Sequence, residues 1–235
     1  MACLPAPNEA QKKSMKMIPD RTGRFPKRPY WETAELEGMC EQAITAFLHR
    51  RYGFDRIPVP TEAITALIER EAGDLDIRSD LSDDQYEVFG YTVFQRGQKP
   101  RVVIARELWE QRHRSNRLRM TLGHEYGHLL LHTWLYDQYG PPSEPQRCHW
   151  RDLLPSEPMA DWAEWQAGYA GGALLMPESF VRRAVVAFFR ERTEEPPVAR
   201  SSADAATLCE RIALTFDASA EAARVRLSQL GFLSD

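Results

Sequence analysis

The chain is short of several things, and each shortage closes off a class of function. Its four cysteines, Cys3, Cys40, Cys148 and Cys209, are far apart and form no Cys-x-x-Cys pair. That argues against a zinc ribbon or a dense disulfide framework and fits a reducing compartment. No apolar run approaches the roughly 20 residues a membrane helix needs, and the N-terminus has no continuous apolar signal region. The expectation is a cytoplasmic protein. There is no basic excess either: the net charge is −4, so the whole chain is not a non-specific binder of polyanions, although a local basic patch remains compatible with it. Neither an internal repeat nor a low-complexity block is present. What the chain does have is 235 residues, 43% hydrophobic and 27% charged, enough for a substantial core and one domain with an appendage.

Residues 1–30 combine Pro5, Pro7, Pro19, Pro26 and Pro29 with seven scattered Lys and Arg residues and few apolar anchors. They read as a flexible basic tail, either a solvated extension or a contact for an acidic partner. Leu36, Met39, Cys40, Ala43 and Phe47 recur at helical spacing, predicting a helix over about Glu32 to Arg51. Thr61 can cap a second through Ile64, Leu67 and Ile68. Strand patterns follow at Tyr86 to Gln95 and at Arg101 to Ala105, with a short one near Leu75 to Arg78. Together these predict a small, mainly antiparallel sheet.

The chemistry concentrates in Thr121-Leu122-Gly123-His124-Glu125-Tyr126-Gly127-His128-Leu129-Leu130-Leu131-His132. Ser115 or Asn116 can cap this segment, and Leu118, Leu122 and Leu129 give it a buried stripe at helical spacing. On a helix, His-Glu-x-x-His puts two imidazoles one turn apart on one face, where both can reach one metal ion. Glu125, about 100° further round, is better placed as a base than as a ligand. The plain alternative is a buried helix with two incidental histidines. Gly123 and Gly127 each cost a helix about 1 kcal/mol relative to alanine, a cost accepted where a second backbone must come close.

Catalytic zinc usually takes three protein ligands and leaves one position open. His132 lies about 12 Å along the helix from His124, too far to share an ion, so it is expected to support the site or pack beneath it. Cys148 and His149 fall in a Pro-rich stretch, residues 137–157, read as a loop that is either a wall of the site or an idle connection. The better third ligand is Glu164. It belongs to a helix that Ser156 or Pro158 can start and Pro177 can end, on a face shared with Ala167, Gly171 and Leu174. A carboxylate buried there needs a metal or a cation; otherwise it is a half-exposed surface residue. Asp161, one turn earlier, is the reserve.

Arg117-Leu118-Arg119 leading into His124-Glu125-x-x-His128, then Glu164-x-x-Ala167 and Leu174-Leu175-Met176-Pro177, resembles the ImmA/IrrE family of intracellular zinc metallopeptidases. The resemblance implies an α+β, zincin-like metallopeptidase core, with the His-Glu-x-x-His helix on the small sheet and a helical appendage at the C-terminus. It makes Zn2+ the cofactor, His124, His128 and Glu164 the metal ligands and Glu125 the general base. The implied substrate is a regulatory protein, typically a helix-turn-helix transcriptional repressor in a stress response. The chain departs from the family where Ala170-Gly171 replaces the usual Phe-Ala pair and Tyr169 stands one position early, which bears on pocket shape. No oxyanion donor follows from the match, and Tyr126 and His149 are the residues to examine.

The expected division is a tail over 1–30, a metallopeptidase domain over 31–192 and a small helix-turn-helix-like region over 203–235. In that last region Leu208, Ile212 and Phe216 precede a break at Asp217-Ala218-Ser219, and a second helix runs to Leu230 before Gly231. Arg211, Arg224 and Arg226 are matched by Glu210, Asp217, Glu221 and Asp235, so the basic face of a DNA reader is missing. The rival reading keeps a structural or silent zinc site in a regulatory module that binds DNA or a protein. Glu125 favours the enzyme, because a structural site has no use for a base beside it and would close its fourth position.

Overall fold

The computed structural model describes residues 16–82, 88–95, 97–140, 146–149, 161–190, 192 and 195–235. Residues 16–30 are not a loose tail. Strand β1 (Lys16–Pro19) pairs antiparallel with β2 (Lys27–Tyr30). Composition misses the cause, which lies in two residues. The Asp20 carboxylate accepts the backbone N–H groups of Thr22 at 2.9 Å and Phe25 at 3.0 Å, folding the connection. Phe25 is then buried against the rings of Tyr136 and Trp162. The preceding residues, 1–15, lie outside the described part.

Helix α1 (Thr33–Tyr52) opens with a reciprocal capping box between Glu32 and Glu35 and stops at Gly53, whose φ of 82° is left-handed. Helix α2 (Thr61–Glu71) begins at Thr61 itself, one residue earlier than a Thr61 cap would allow. Next come β3 (Asp74–Asp76), β4 (Val88–Val93) and β5 (Arg101–Ile104), then a short helix α3 (Arg106–Glu110) that periodicity did not reveal. Helix α4 (Ser115–Tyr139) is longer than the motif requires and ends at Gly140. Within the stretch expected to be loop, Gln146–His149 forms strand β6. The sheet order is β3-β5-β4-β6, with only β3 and β5 parallel, so the mainly antiparallel expectation holds among the described residues.

Helix α5 (Trp162–Leu175) stops two residues before Pro177, the residue expected to end it, and α6 (Glu178–Phe189) starts directly after that proline. The expected starts of α5 at Ser156 or Pro158 lie outside the described residues. Two C-terminal helices, α7 (Ala203–Phe216) and α8 (Ala220–Gln229), are capped by Ser202 and Ser219. A parallel pair of two-residue strands, β7 (Val198–Ala199) and β8 (Leu233–Ser234), ties the chain end to the connection before α7. The result is an α+β fold with eight α-helices among the described residues.

One apolar cluster runs through nearly all of this. It contains Leu36 and Leu48 of α1, Ile64 and Leu67 of α2, Leu122 of α4 and Leu174 of α5, and also Leu208, Phe216 and Leu227 from the C-terminal pair. The C-terminal helices are therefore core partners of the body. Two buried arginines fasten them. Arg119 donates from Nη2 to the Phe216 carbonyl at 3.1 Å, from Nε to the Asp217 carbonyl at 3.0 Å, and from Nη1 to the Val59 carbonyl at 2.7 Å. The bonds to Phe216 and Asp217 satisfy carbonyls that the end of α7 leaves open. Arg226 pairs with both oxygens of Glu37 on α1, at 2.5 and 2.6 Å, and donates from Nε to the Met176 carbonyl at 3.0 Å.

Candidate metal centre

Helices α4 and α5 approach until their backbones touch. A Cβ on Gly127 would lie 2.9 Å from the Ala167 carbonyl oxygen and 3.0 Å from Ala167 Cα, and one on Gly123 would lie 3.0 Å from Gly171 Cα. The two glycines that looked costly in sequence are the ones that admit the second helix. That approach sets Glu164, on the first turn of α5, opposite His124 and His128 on α4.

The three donors converge. Glu164 Oε2 lies 3.0 Å from His124 Nε2 and 3.3 Å from His128 Nε2, and the two imidazole nitrogens are 3.1 Å apart. All three residues are buried. For a tetrahedral ion with bonds of about 2.0 Å, adjacent ligand atoms sit about 3.3 Å apart, so this triangle has the dimensions of one face of such a polyhedron. The donor set, two imidazoles and a carboxylate, fits a borderline divalent ion with one position left over. Among the described residues it is also the only group of three or more His, Cys, Asp or Glu side chains close enough to hold a metal.

Charge agrees with geometry. Burial works against the ionised form of Glu164, but His128 and His124 outweigh it and hold the carboxyl well below its usual range. His128 feels the same pairing from the other side. Burial lowers its basicity, and Glu164 more than restores it, leaving the pKa raised.

Glu125 is also fully buried. Burial pushes its carboxyl up, while the two imidazoles and a hydrogen bond from Thr92 pull it back. Thr92, on β4, donates its hydroxyl to Glu125 Oε2 at 2.6 Å, and Oε1 has no hydrogen-bond partner among the described residues. Glu125 is thus beside the donor triangle and outside it, as its position on the helix predicts.

Other expected residues fall elsewhere. Asp161 is not a donor to the triangle. Its carboxylate caps α5 by accepting the Ala163 N–H at 3.0 Å, and it pairs with Arg24 at 2.5 Å. His132 stands behind the triangle, its Nδ1 3.0 Å from His128 Nδ1 and its Nε2 3.0 Å from Gln166 Oε1. Burial lowers its pKa to about 3, with His128 adding to the effect, so it is neutral at ordinary pH. Tyr126 is buried in the apolar core, where burial, with Glu71 adding to it, pushes the phenol up. Its charged neighbours are Glu71 and Arg70, both on α2. The backbone of Cys148 and His149 belongs to β6, and their side chains lie outside the described ones.

Sequence reasoning missed Thr92 and Gln166. A hydroxyl alternating inward with Gly90 in an otherwise apolar strand was a usable signal for Thr92. Gln166 carried none beyond being two residues after Glu164.

An α+β fold in which two helices bring His, His and Glu together beside a second buried Glu is the frame of a metal-dependent hydrolase. The Peptidase M78 family, described as the IrrE N-terminal-like domain, matches residues 77–228. The chain belongs to that family, which confirms the resemblance read from its motifs and points to metallopeptidase activity. No curated protein matches the chain.

Proposed function

We propose that this protein is a zinc-dependent endopeptidase of zincin-like architecture that hydrolyses a peptide bond in a regulatory protein. The observation that carries the reading is the triangle of His124 Nε2, His128 Nε2 and Glu164 Oε2, with Glu125 next to it and one of its oxygens without a hydrogen-bond partner among the described residues. His124, His128 and Glu164 would hold the ion. When bound, zinc supplies Lewis acidity, polarising the scissile carbonyl and acidifying water. Glu125 acts as general base through Oε1, taking a proton from the attacking water and delivering it to the departing amine nitrogen. Thr92 keeps Oε2 engaged, so the working oxygen stays in one orientation.

The body over 31–192 is the catalytic part in this reading, and 203–235 is its cover. A cytoplasmic setting fits the sparse, unpatterned cysteines, and among the described residues no helix is long and apolar enough to cross a membrane. The substrate class, a helix-turn-helix transcriptional repressor in a stress response, comes from the sequence resemblance to ImmA/IrrE. The rival DNA-binding role is disfavoured by α8, where Arg226 is turned into the core against Glu37 and Arg224 is paired with Glu221.

The test incubates the zinc-loaded protein with a candidate repressor and identifies fragments by mass spectrometry, wild type against Glu125→Gln. Cleavage by the wild type alone is expected. Equal cutting by both would remove Glu125 from the mechanism.

A further inference from the structure

Behind the donor triangle runs a chain of two hydrogen bonds, from His128 Nδ1 to His132 Nδ1 at 3.0 Å and from His132 Nε2 to Gln166 Oε1 at 3.0 Å. All three side chains are buried. Such a chain can be polarised in two senses. In one, which needs the Gln166 amide turned over so that its NH2 replaces Oε1, Gln166 donates to His132 Nε2, His132 Nδ1–H donates to His128 Nδ1, and the His128 proton sits on Nε2. In the other, His128 Nδ1–H donates to His132 Nδ1, and His132 Nε2–H donates to the Gln166 oxygen. Only the second leaves the His128 Nε2 lone pair free to face Glu164 and His124, because a neutral imidazole carries one proton and a nitrogen that bears it cannot bind a cation.

We propose that His132 and Gln166 are positioning residues that hold His128 in its Nδ1–H tautomer and so keep Nε2 open to a divalent metal ion, a role that rests on the metallopeptidase reading of the site. The same two helices that carry the ligands carry this support. His132 is one turn beyond His128 on α4, and Gln166 is two residues beyond Glu164 on α5. Trp162 sets its ring edge-on to His132, with centroids 5.5 Å apart, and limits how the imidazole can turn. The support is one-sided: His124 Nδ1 has no hydrogen-bond partner among the described residues. His128 is therefore the ligand whose orientation is fixed from behind.

The experiment measures zinc affinity of the metal-stripped full chain by competition with a chelator, in wild type, His132→Phe, His132→Gln, Gln166→Leu and Glu164→Gln. Phe keeps a ring beside Trp162 and removes the acceptor, and affinity should fall by about 10- to 100-fold, the usual effect of losing such a partner. Gln at 132 returns an oxygen acceptor and should recover most of the loss. Gln166→Leu, further from the ions' ligands, should weaken binding in the same direction and carries the test if the Phe variant does not fold. Melting temperatures of the metal-free variants separate folding from binding. Nitrogen-15 spectra of the zinc-loaded wild type should show the His128 proton on Nδ1. If Glu164→Gln loses zinc while His132→Phe and Gln166→Leu bind it as the wild type does, the supporting role is overturned and the metal site stands. If Glu164→Gln binds zinc like the wild type, the site reading fails and this role fails with it.

Discussion

Thr92 reaches across from β4 to place its hydroxyl 2.6 Å from Glu125 Oε2, while Oε1 of the same carboxylate has no hydrogen-bond partner among the described residues. A carboxylate held by one oxygen and free at the other is arranged to move a proton at a fixed place. Thr92→Val keeps the shape and removes the donor. A hydrogen bond to a charged group contributes about 1.5–3 kcal/mol, and about half of that lost from transition-state positioning lowers kcat about 4- to 12-fold. Peptide cleavage by Thr92→Val should show this drop with KM nearly unchanged, and Thr92→Ser should restore it. A change in KM alone would mean that Thr92 contacts substrate and does not position the base.

Gly127 sits where α4 meets α5. Alanine there gains about 1 kcal/mol of helix propensity. Its methyl, however, would fall 2.9 Å from the Ala167 carbonyl oxygen, a backbone atom that cannot swing aside. Overpacking of this kind costs about 1–3 kcal/mol, so the sterics outweigh the propensity. Gly127→Ala should lower the melting temperature and weaken zinc binding together, because the helices that part carry the three corners of the donor triangle, His124, His128 and Glu164. Stabilisation by this substitution, seen in a thermal melt, would show that the two helices separate freely.

How much of this was legible in the residues themselves depended on whether a pattern was local. His124, Glu125 and His128 declare themselves, because three side chains on one helix fix their own relative positions. Glu164 was legible through its stripe of small neighbours, Ala167 and Gly171, which foretold a close helix without naming it. Asp161 could be kept only as a reserve ligand, because in sequence a capping carboxylate and a ligand look alike one turn from Glu164. The hairpin over 16–30 was hidden since its anchors, Phe25 and Arg24, find Trp162 and Asp161 more than a hundred residues away. The turn of Arg226 into the core was equally invisible, as its partner Glu37 is on the first helix.

That Arg226–Glu37 pair gives a separate prediction. Both groups are buried, with the Arg226 guanidinium hydrogen-bonded to both carboxylate oxygens and the Tyr169 hydroxyl donating to Glu37 as well. Removing one partner leaves the other charged and unmatched, which costs about 3–5 kcal/mol, whereas an apolar pair of similar volume is often close to neutral. Glu37→Leu and Arg226→Met should each destabilise the protein strongly in urea melts, and the double variant should recover much of the loss. Equal loss in the double and the sum of the singles would mean that the two side chains do not share an environment.

Asp20 links the N-terminal hairpin to α5, the helix that carries Glu164, and it should do so only above acid pH. Its carboxylate accepts N–H groups from Thr22 and Phe25, the Thr22 hydroxyl, and the Trp162 indole N–H at 3.1 Å. Burial raises its pKa, but these donors outweigh burial and set it below the ordinary 3.8. A group depressed in the folded state adds stability that is complete above its unfolded pKa and is lost as the pH falls through the folded value. The hairpin contact should therefore be intact at neutral pH and loosen only below about pH 4. The Trp162 indole N–H resonance reports this directly. It should shift on acidification with a midpoint below 3.8, and Asp20→Asn should abolish the titration. A midpoint at or above the ordinary carboxylate value would mean that the hydrogen bonds to Asp20 do not favour its charged form, and that the hairpin is held on α5 by Phe25 and Arg24 alone.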